Sequence, residues 1–246
     1  MWVVAVEIAL ATAAGLFVRA KMGFGFSLVV VPLASLAIGF RSAVLFAIVL
    51  EVASSFSMAW LLRKQLRLLD AGLLKAGSFV GLFLAWLASR YVSGEVATVV
   101  GMAVVIATSG YIFVAGDVRR REAPAGWSLP LLGMLSGLLN YWTSLSGPPV
   151  VLAYARSNVD SMRIVATLTG YFSLLYAYTF VVEIIAGRYE GFKYWPLALA
   201  CSGGTILAMR PIKGLTDRIP VDFHRLAVCG VGVSAAVVLV RELLAH

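Results

Sequence analysis

Residues 42–62 form an unbroken apolar run with one charged side chain, Glu51, and runs of this kind recur along the whole chain. Ten apolar segments can be marked, at about 2–18, 25–39, 42–62, 71–89, 96–115, 127–140, 147–156, 164–186, 194–209 and 221–240. An α-helix of roughly 20 apolar residues crosses the hydrocarbon of a bilayer. In lipid every backbone amide needs an internal partner, which leaves helices or closed barrels. Barrel strands alternate over about ten residues, whereas these runs are continuous. With 61% of its residues hydrophobic and 13% charged, the chain has too little polar surface to cover itself in water. The sequence predicts an all-α polytopic membrane protein. Six segments are long enough to span, while the pairs 2–18/25–39 and 127–140/147–156 are shorter and read as broken or re-entrant helices.

The cations set the topology. Numbering each loop by the segment it follows, odd loops hold 15 Lys and Arg, and even loops with the C-terminus hold 5. The positive-inside rule then puts the odd loops in the cytoplasm and both termini outside, in a plasma or inner membrane. A formal charge of +8 also fits nucleic-acid binding. The cations sit in short loops between apolar runs, as topology demands, so no nucleic-acid partner is expected. The N-terminus has no basic start or small-residue cleavage site, so the first run is expected to stay in the mature protein. Cys201 and Cys229 lie inside apolar runs and behave as small hydrophobes. His224 and His246, the chain's two histidines, support no catalytic or metal constellation. No cofactor, metal or enzymatic activity is expected.

Five identities share one offset of 122 residues: Gly15/Gly137, Leu16/Leu138, Gly25/Gly147, Val29/Val151 and Arg41/Arg163. They divide the chain into a first repeat over 1–116, a basic cytoplasmic linker at 117–126 and a second repeat over 127–246. An odd number of segments per half would invert the second repeat relative to the first, an architecture common among transporters.

Each half carries one glycine-rich interruption, at 15–32 and at 137–149. Short or Gly/Pro-interrupted apolar segments in corresponding positions point to a binding site. The helix after each break starts near Gly25–Ser27 or Pro148–Pro149, where unpaired N–H groups and the positive dipole end favour an anion. Candidate ligands are Gly23, Gly25, Ser27, Asn140, Thr143, Ser144, Ser146, Gly147 and Pro148, with Lys21 and Arg19 able to add charge. Close helix packing through small residues accounts for such glycines equally.

The two breaks resemble the paired motifs of the sulfite exporter TauE/SafE family, also called 4-toluene sulfonate uptake permeases. That pattern is a glycine-rich turn, a short apolar helix with a proline and an Arg opening the next helix, once per half. Here it reads Gly23-Phe-Gly25…Pro32…Arg41 and Ser146-Gly147-Pro148…Arg163. The second half departs from it, with Tyr154 where the first has Pro32. The resemblance covers essentially the whole chain and implies transport of sulfite, sulfonates or related organosulfur or carboxylate anions, with proton coupling.

Ionisable residues at membrane depth are functional candidates. Glu51 shares a helix face with Ser54 and Ser55, and either pairs an Arg or carries a coupling proton. Position 173, its counterpart, is a serine. Arg41 and Arg163 line the substrate path or anchor their helices at the interface. Glu7, Glu183 and Lys75 fall near segment ends, where interfacial placement suffices. The expected activity is secondary transport of a small anion by alternating access at a midplane site. An anion channel with the same site, a membrane-embedded enzyme and a scaffold without transport are the alternatives.

Overall fold

The computed structural model describes residues 2–92 and 126–219 except 156 and 158, together with the isolated positions 96, 99, 103 and 124. Segment 221–240, nearly all of 96–115 and of the basic linker, Cys229, His224 and His246 lie outside the described residues. Within them the regular elements are helices: α1 (Trp2–Met22), α2 (Phe26–Ile38), α3 (Phe40–Leu62), α4 (Leu68–Ala88), α5 (Ser128–Thr143), α6 (Gly147–Ala155), α7 (Ser161–Ile185) and α8 (Trp195–Asp217), with a 3₁₀ turn at Arg63–Gln65. Among the described residues four stretches are long and apolar enough to cross a membrane: Val3–Met22, Phe40–Gln65, Leu68–Ala88 and Ser161–Ile185.

α1 runs on to Met22, past the segment end at 18 read from hydropathy. Ala, Arg and Lys are good helix formers, and the chain first leaves helical geometry at Gly23, where φ is +76°. A second left-handed glycine, Gly25 (φ +88°), starts α2. Pro32 stands inside α2, which ends after 13 residues at Gly39, whose N–H donates to the Ser35 carbonyl at 3.0 Å. α6 opens Gly147-Pro148-Pro149, with prolines where a first-turn N–H has no intrahelical partner. Asp160 caps α7, its carboxylate accepting from the N–H groups of Met162 (3.1 Å) and Arg163 (3.2 Å).

α3 and α7 are the central helices. Of their most apolar stretches 61% is buried, against 39% for α1 and α4, so α1 and α4 turn more of their surface outward. Leu10, Leu36, Phe83 and Leu207 are exposed on that outer surface, as lipid contact requires. α3 packs on α2, α7 and α8; α7 packs on α3 and α4; α1 packs on α2 and α8; and α4 packs most extensively on α5. Lys21 ties α1 to α8, the last of the described helices. Its ammonium donates to the carbonyls of Thr216 (2.8 Å) and Ile219 (3.0 Å), where a cation offsets the negative end of α8.

Glu183 lies deeper than its place near a segment end implied. It is fully buried and accepts from Arg188 at 2.9 Å, because left-handed Gly187 (φ +70°) turns the chain so that Arg188 reaches back.

Candidate functional site

The two glycine-rich breaks meet. Ser27, in the first turn of α2, lies 3.2 Å from Ser144 at the turn after α5, hydroxyl to hydroxyl. A Cβ on Gly147 would stand 3.1 Å from the Phe24 ring. Around this contact is a cavity of about 10 Å³ lined by Arg19, Phe24, Gly25, Ser27, Leu28, Glu51, Ser144, Leu145, Ser146, Gly147, Phe172 and Tyr176. That is about the room one water needs. Glu51 is the twelfth of 23 residues in α3, and Phe172 the twelfth of 25 in α7, so the site sits halfway along both central helices.

An ion pair forms its charged half. Arg19 and Glu51 are each 1% exposed. The Arg19 guanidinium donates through Nη1 to Glu51 Oε2 and through Nη2 to Ser55 Oγ at 2.6 Å. The other carboxylate oxygen, Oε1, accepts from the Ser27 backbone N–H at 3.2 Å and from the Ser27 hydroxyl at 2.9 Å. The positive end of α2 thus receives an anion as expected of a helix N-terminus, and that anion is the protein's own Glu51. Arg19 lies with its guanidinium carbon 5.5 Å from the centre of the Phe172 ring. Its Nε–H is buried without an acceptor.

Hydroxyls build the other half. Tyr176 donates to the Ser144 carbonyl at 3.0 Å and lies 2.9 Å from Ser146 Oγ. Ser136 donates to the Ser146 carbonyl at 2.6 Å and accepts from Tyr171 at 2.8 Å. Thr143 donates to the Leu139 carbonyl at 2.7 Å and accepts from the Leu145 N–H at 3.1 Å, which with left-handed Ser144 (φ +56°) turns the chain. Asn140 donates to Thr179 Oγ1 at 2.7 Å, while its own Oδ1 is buried without a partner. Prolines at 148 and 149 have no N–H, so the start of α6 offers fewer donors than the start of α2.

Of the residues singled out in sequence, Arg19, Gly25, Ser27, Glu51, Ser144, Ser146 and Gly147 line the cavity. Pro148 follows Gly147 in the first turn of α6, and Asn140 and Thr143 shape the turn from behind. Gly23 packs on α7, where a Cβ would stand 2.9 Å from a Val165 methyl. Lys21 is committed to the end of α8. Arg41 and Arg163 are exposed in the first turns of α3 and α7, away from the cavity lining. The lining residues not singled out are Phe24, Leu28, Leu145, Phe172 and Tyr176. As apolar or aromatic residues in apolar runs, they carry no distinguishing pattern.

A bundle of long apolar helices, with two interrupted ones meeting halfway across it around buried polar groups, defines a multi-pass helical membrane protein. The chain belongs to the sulfite exporter TauE/SafE family, a family of membrane transporters, whose model matches residues 8–239. Comparison with curated proteins and with solved structures returns no match.

Proposed function

We propose that the protein is a secondary transporter of small anions, most directly sulfite, sulfonates or related organosulfur or carboxylate anions. It works by alternating access, and its site is where the two breaks meet. The observation that carries this reading is the convergence of Arg19, the α2 N-terminus and the hydroxyls of Ser27, Ser144 and Ser146 midway along the central helices. These are donors suited to an oxyanion. The family supplies the substrate class. Burial of Arg19 and Glu51 favours a carrier over an open channel, since a water-filled path would expose them.

The two halves act as inverted repeats. Support comes from the pattern of neighbours: α1 on α8 is matched by α4 on α5, α3 on α8 by α4 on α7, and α1 on α2 by α5 on α6. Exchanging α1–α4 with α5–α8 turns each contact into its counterpart. Gly25 and Gly147 each start the short helix of their half, and Arg41 and Arg163 each lie in the first turn of the next. The protein sits in a plasma or inner membrane with basic loops in the cytoplasm and both termini outside. Glu51 is the candidate carrier of a coupling proton; Ser173, its counterpart, donates within its own helix to the Gly170 carbonyl at 2.9 Å.

Purified protein in proteoliposomes is expected to take up radiolabelled sulfite saturably, faster under an imposed pH gradient and less when sulfonates compete. Flux equal to that of empty liposomes, for sulfite, sulfonates and carboxylates alike, refutes transport. Gly25→Leu and Gly147→Leu are expected to insert normally and lose flux. A side chain on Gly25 is strained at φ +88° and crowds Val18 at 3.0 Å, and one on Gly147 presses on Phe24. Wild-type flux in both variants would move the path elsewhere.

A further inference from the structure

The geometry points to Glu51 as a tethered internal anion: its carboxylate holds the donors a transported anion uses, so carboxylate and substrate exclude one another at one place. This rests on the anion-site reading of the pocket.

The donors of the first break are committed to Glu51. Ser27 gives it both its backbone N–H (3.2 Å) and its hydroxyl (2.9 Å), Arg19 pairs with the second oxygen, and Ser55 Oγ lies 3.4 Å from that oxygen. The cavity beside the carboxylate, about 10 Å³, is far too small for a pyramidal or tetrahedral oxyanion. A second negative charge placed there would lie within about 4 Å of an ionised carboxylate, where repulsion in a low dielectric is severe. Yet the site keeps one unused donor. Arg19 lines the cavity and its Nε–H is fully buried without an acceptor, so the guanidinium has capacity for an anion beyond the bonds Glu51 takes. Among the described residues facing Glu51, the titratable groups are Arg19 from α1 and Tyr176 from α7. Among the described lining residues Arg19 therefore supplies the one positive charge, and carboxylate and substrate compete for it. Entry of an anion requires Glu51 to give up its charge or swing off Ser27, and departure of the anion lets the carboxylate close the site again. Exclusion of this kind couples the state of Glu51 to occupancy without a separate sensor.

Shortening the side chain turns the internal anion into an external requirement. Glu51→Ala leaves Arg19 and the Ser27 donors facing a space the size of a carboxylate. Its thermal unfolding in detergent is expected to shift upward by several degrees in sodium formate or sodium sulfite and not in sodium chloride of equal ionic strength. Formate should bind it roughly tenfold or more tightly than it binds the wild type. The double variant Arg19→Met/Glu51→Ala should show neither effect. If Glu51→Ala folds only with an anion present, purification in formate followed by exchange into chloride reads the same dependence as loss of fold. Equal formate responses in wild type and Glu51→Ala, or a response that survives loss of Arg19, would overturn the inference. Wild-type flux separates the two readings. Rescue of Glu51→Ala without wild-type transport keeps the internal anion and removes the transporter, and transport without rescue does the reverse.

Discussion

Arg19→Met is expected to abolish anion flux and to cost the fold about 3–5 kcal/mol, the loss typical when one partner of a buried ion pair is removed. Methionine nearly matches the arginine stem in length, so the loss is not mainly one of packed volume. It comes from Glu51, left buried without its cation and with only the Ser27 and Ser55 donors, and from Ser55, which loses its 2.6 Å contact with Nη2. Arg19→Lys should recover part of the stability and little of the transport. One ammonium cannot serve Glu51 and Ser55 in the two directions a planar guanidinium does. The double variant Arg19→Met/Glu51→Gln is the discriminating case, because it removes both charges. Its stability should return to within about 1–2 kcal/mol of wild type, since a neutral pair leaves no uncompensated charge, while flux stays absent. Thermal unfolding in detergent and sulfite flux in proteoliposomes read the two effects separately. Wild-type stability in Arg19→Met would mean that the pair does not hold the helices together.

The helices themselves were legible because lipid permits few ways to satisfy a backbone, and a run such as 42–62 has one reading. The two breaks were legible for a related reason: Gly, Ser and Pro clustered between apolar residues need a purpose, and at both breaks it is a turn in the chain. Glu51 stood out as a charge in mid-run. Which cation it pairs was not legible: Arg19 and Lys21 both read as charges at the first break, and only three-dimensional packing separates them. Lys21 reaches the end of α8 and Arg19 points into the protein. Arg41 and Arg163 illustrate the converse: a matched position in both halves marks the start of a long helix, and there the side chains are exposed. Glu183 looked interfacial because sequence position alone does not reveal a loop that folds back to supply Arg188. The glycines at 77, 81 and 133 carry no distinguishing mark among 23 in the chain, although the spacing of four in 77/81 and in 133/137 is the spacing of close helix contact.

Those glycines carry the second large effect. Gly133→Ala is expected to destabilise the protein by about 3 kcal/mol or more, at or beyond the upper end for overpacking, because backbone, not side chain, stands in the way. A Cβ on Gly133 would lie 2.1 Å from the Leu74 carbonyl oxygen; on Gly137, 2.3 Å from that of Ser78; on Gly77, 1.8 Å from that of Pro130; and on Gly81, 2.0 Å from that of Met134. The contacts are reciprocal, glycines of α4 against the α5 backbone and glycines of α5 against α4, so no rotamer change relieves them and the helices must separate. Gly137 thus serves this contact and lies a full turn and more before the break it helped to mark. Separation would reach the site as well. Ser136, beside Gly137, holds the Ser146 carbonyl at 2.6 Å, and Ser78 on α4 is hydrogen-bonded to Tyr178 of α7. Moving α5 off α4 therefore displaces the turn at 144–146 from Ser27. Gly72→Ala is the control, on the partner helix α4 with nothing within 4 Å of the added carbon. Its higher helix propensity should make it neutral or stabilising by up to about 1 kcal/mol. Thermal unfolding of the two variants side by side decides the matter: a Gly133→Ala protein as stable as Gly72→Ala would mean that α4 and α5 do not touch backbone to backbone, whereas its selective loss, with flux failing in parallel, ties the contact to the site it supports.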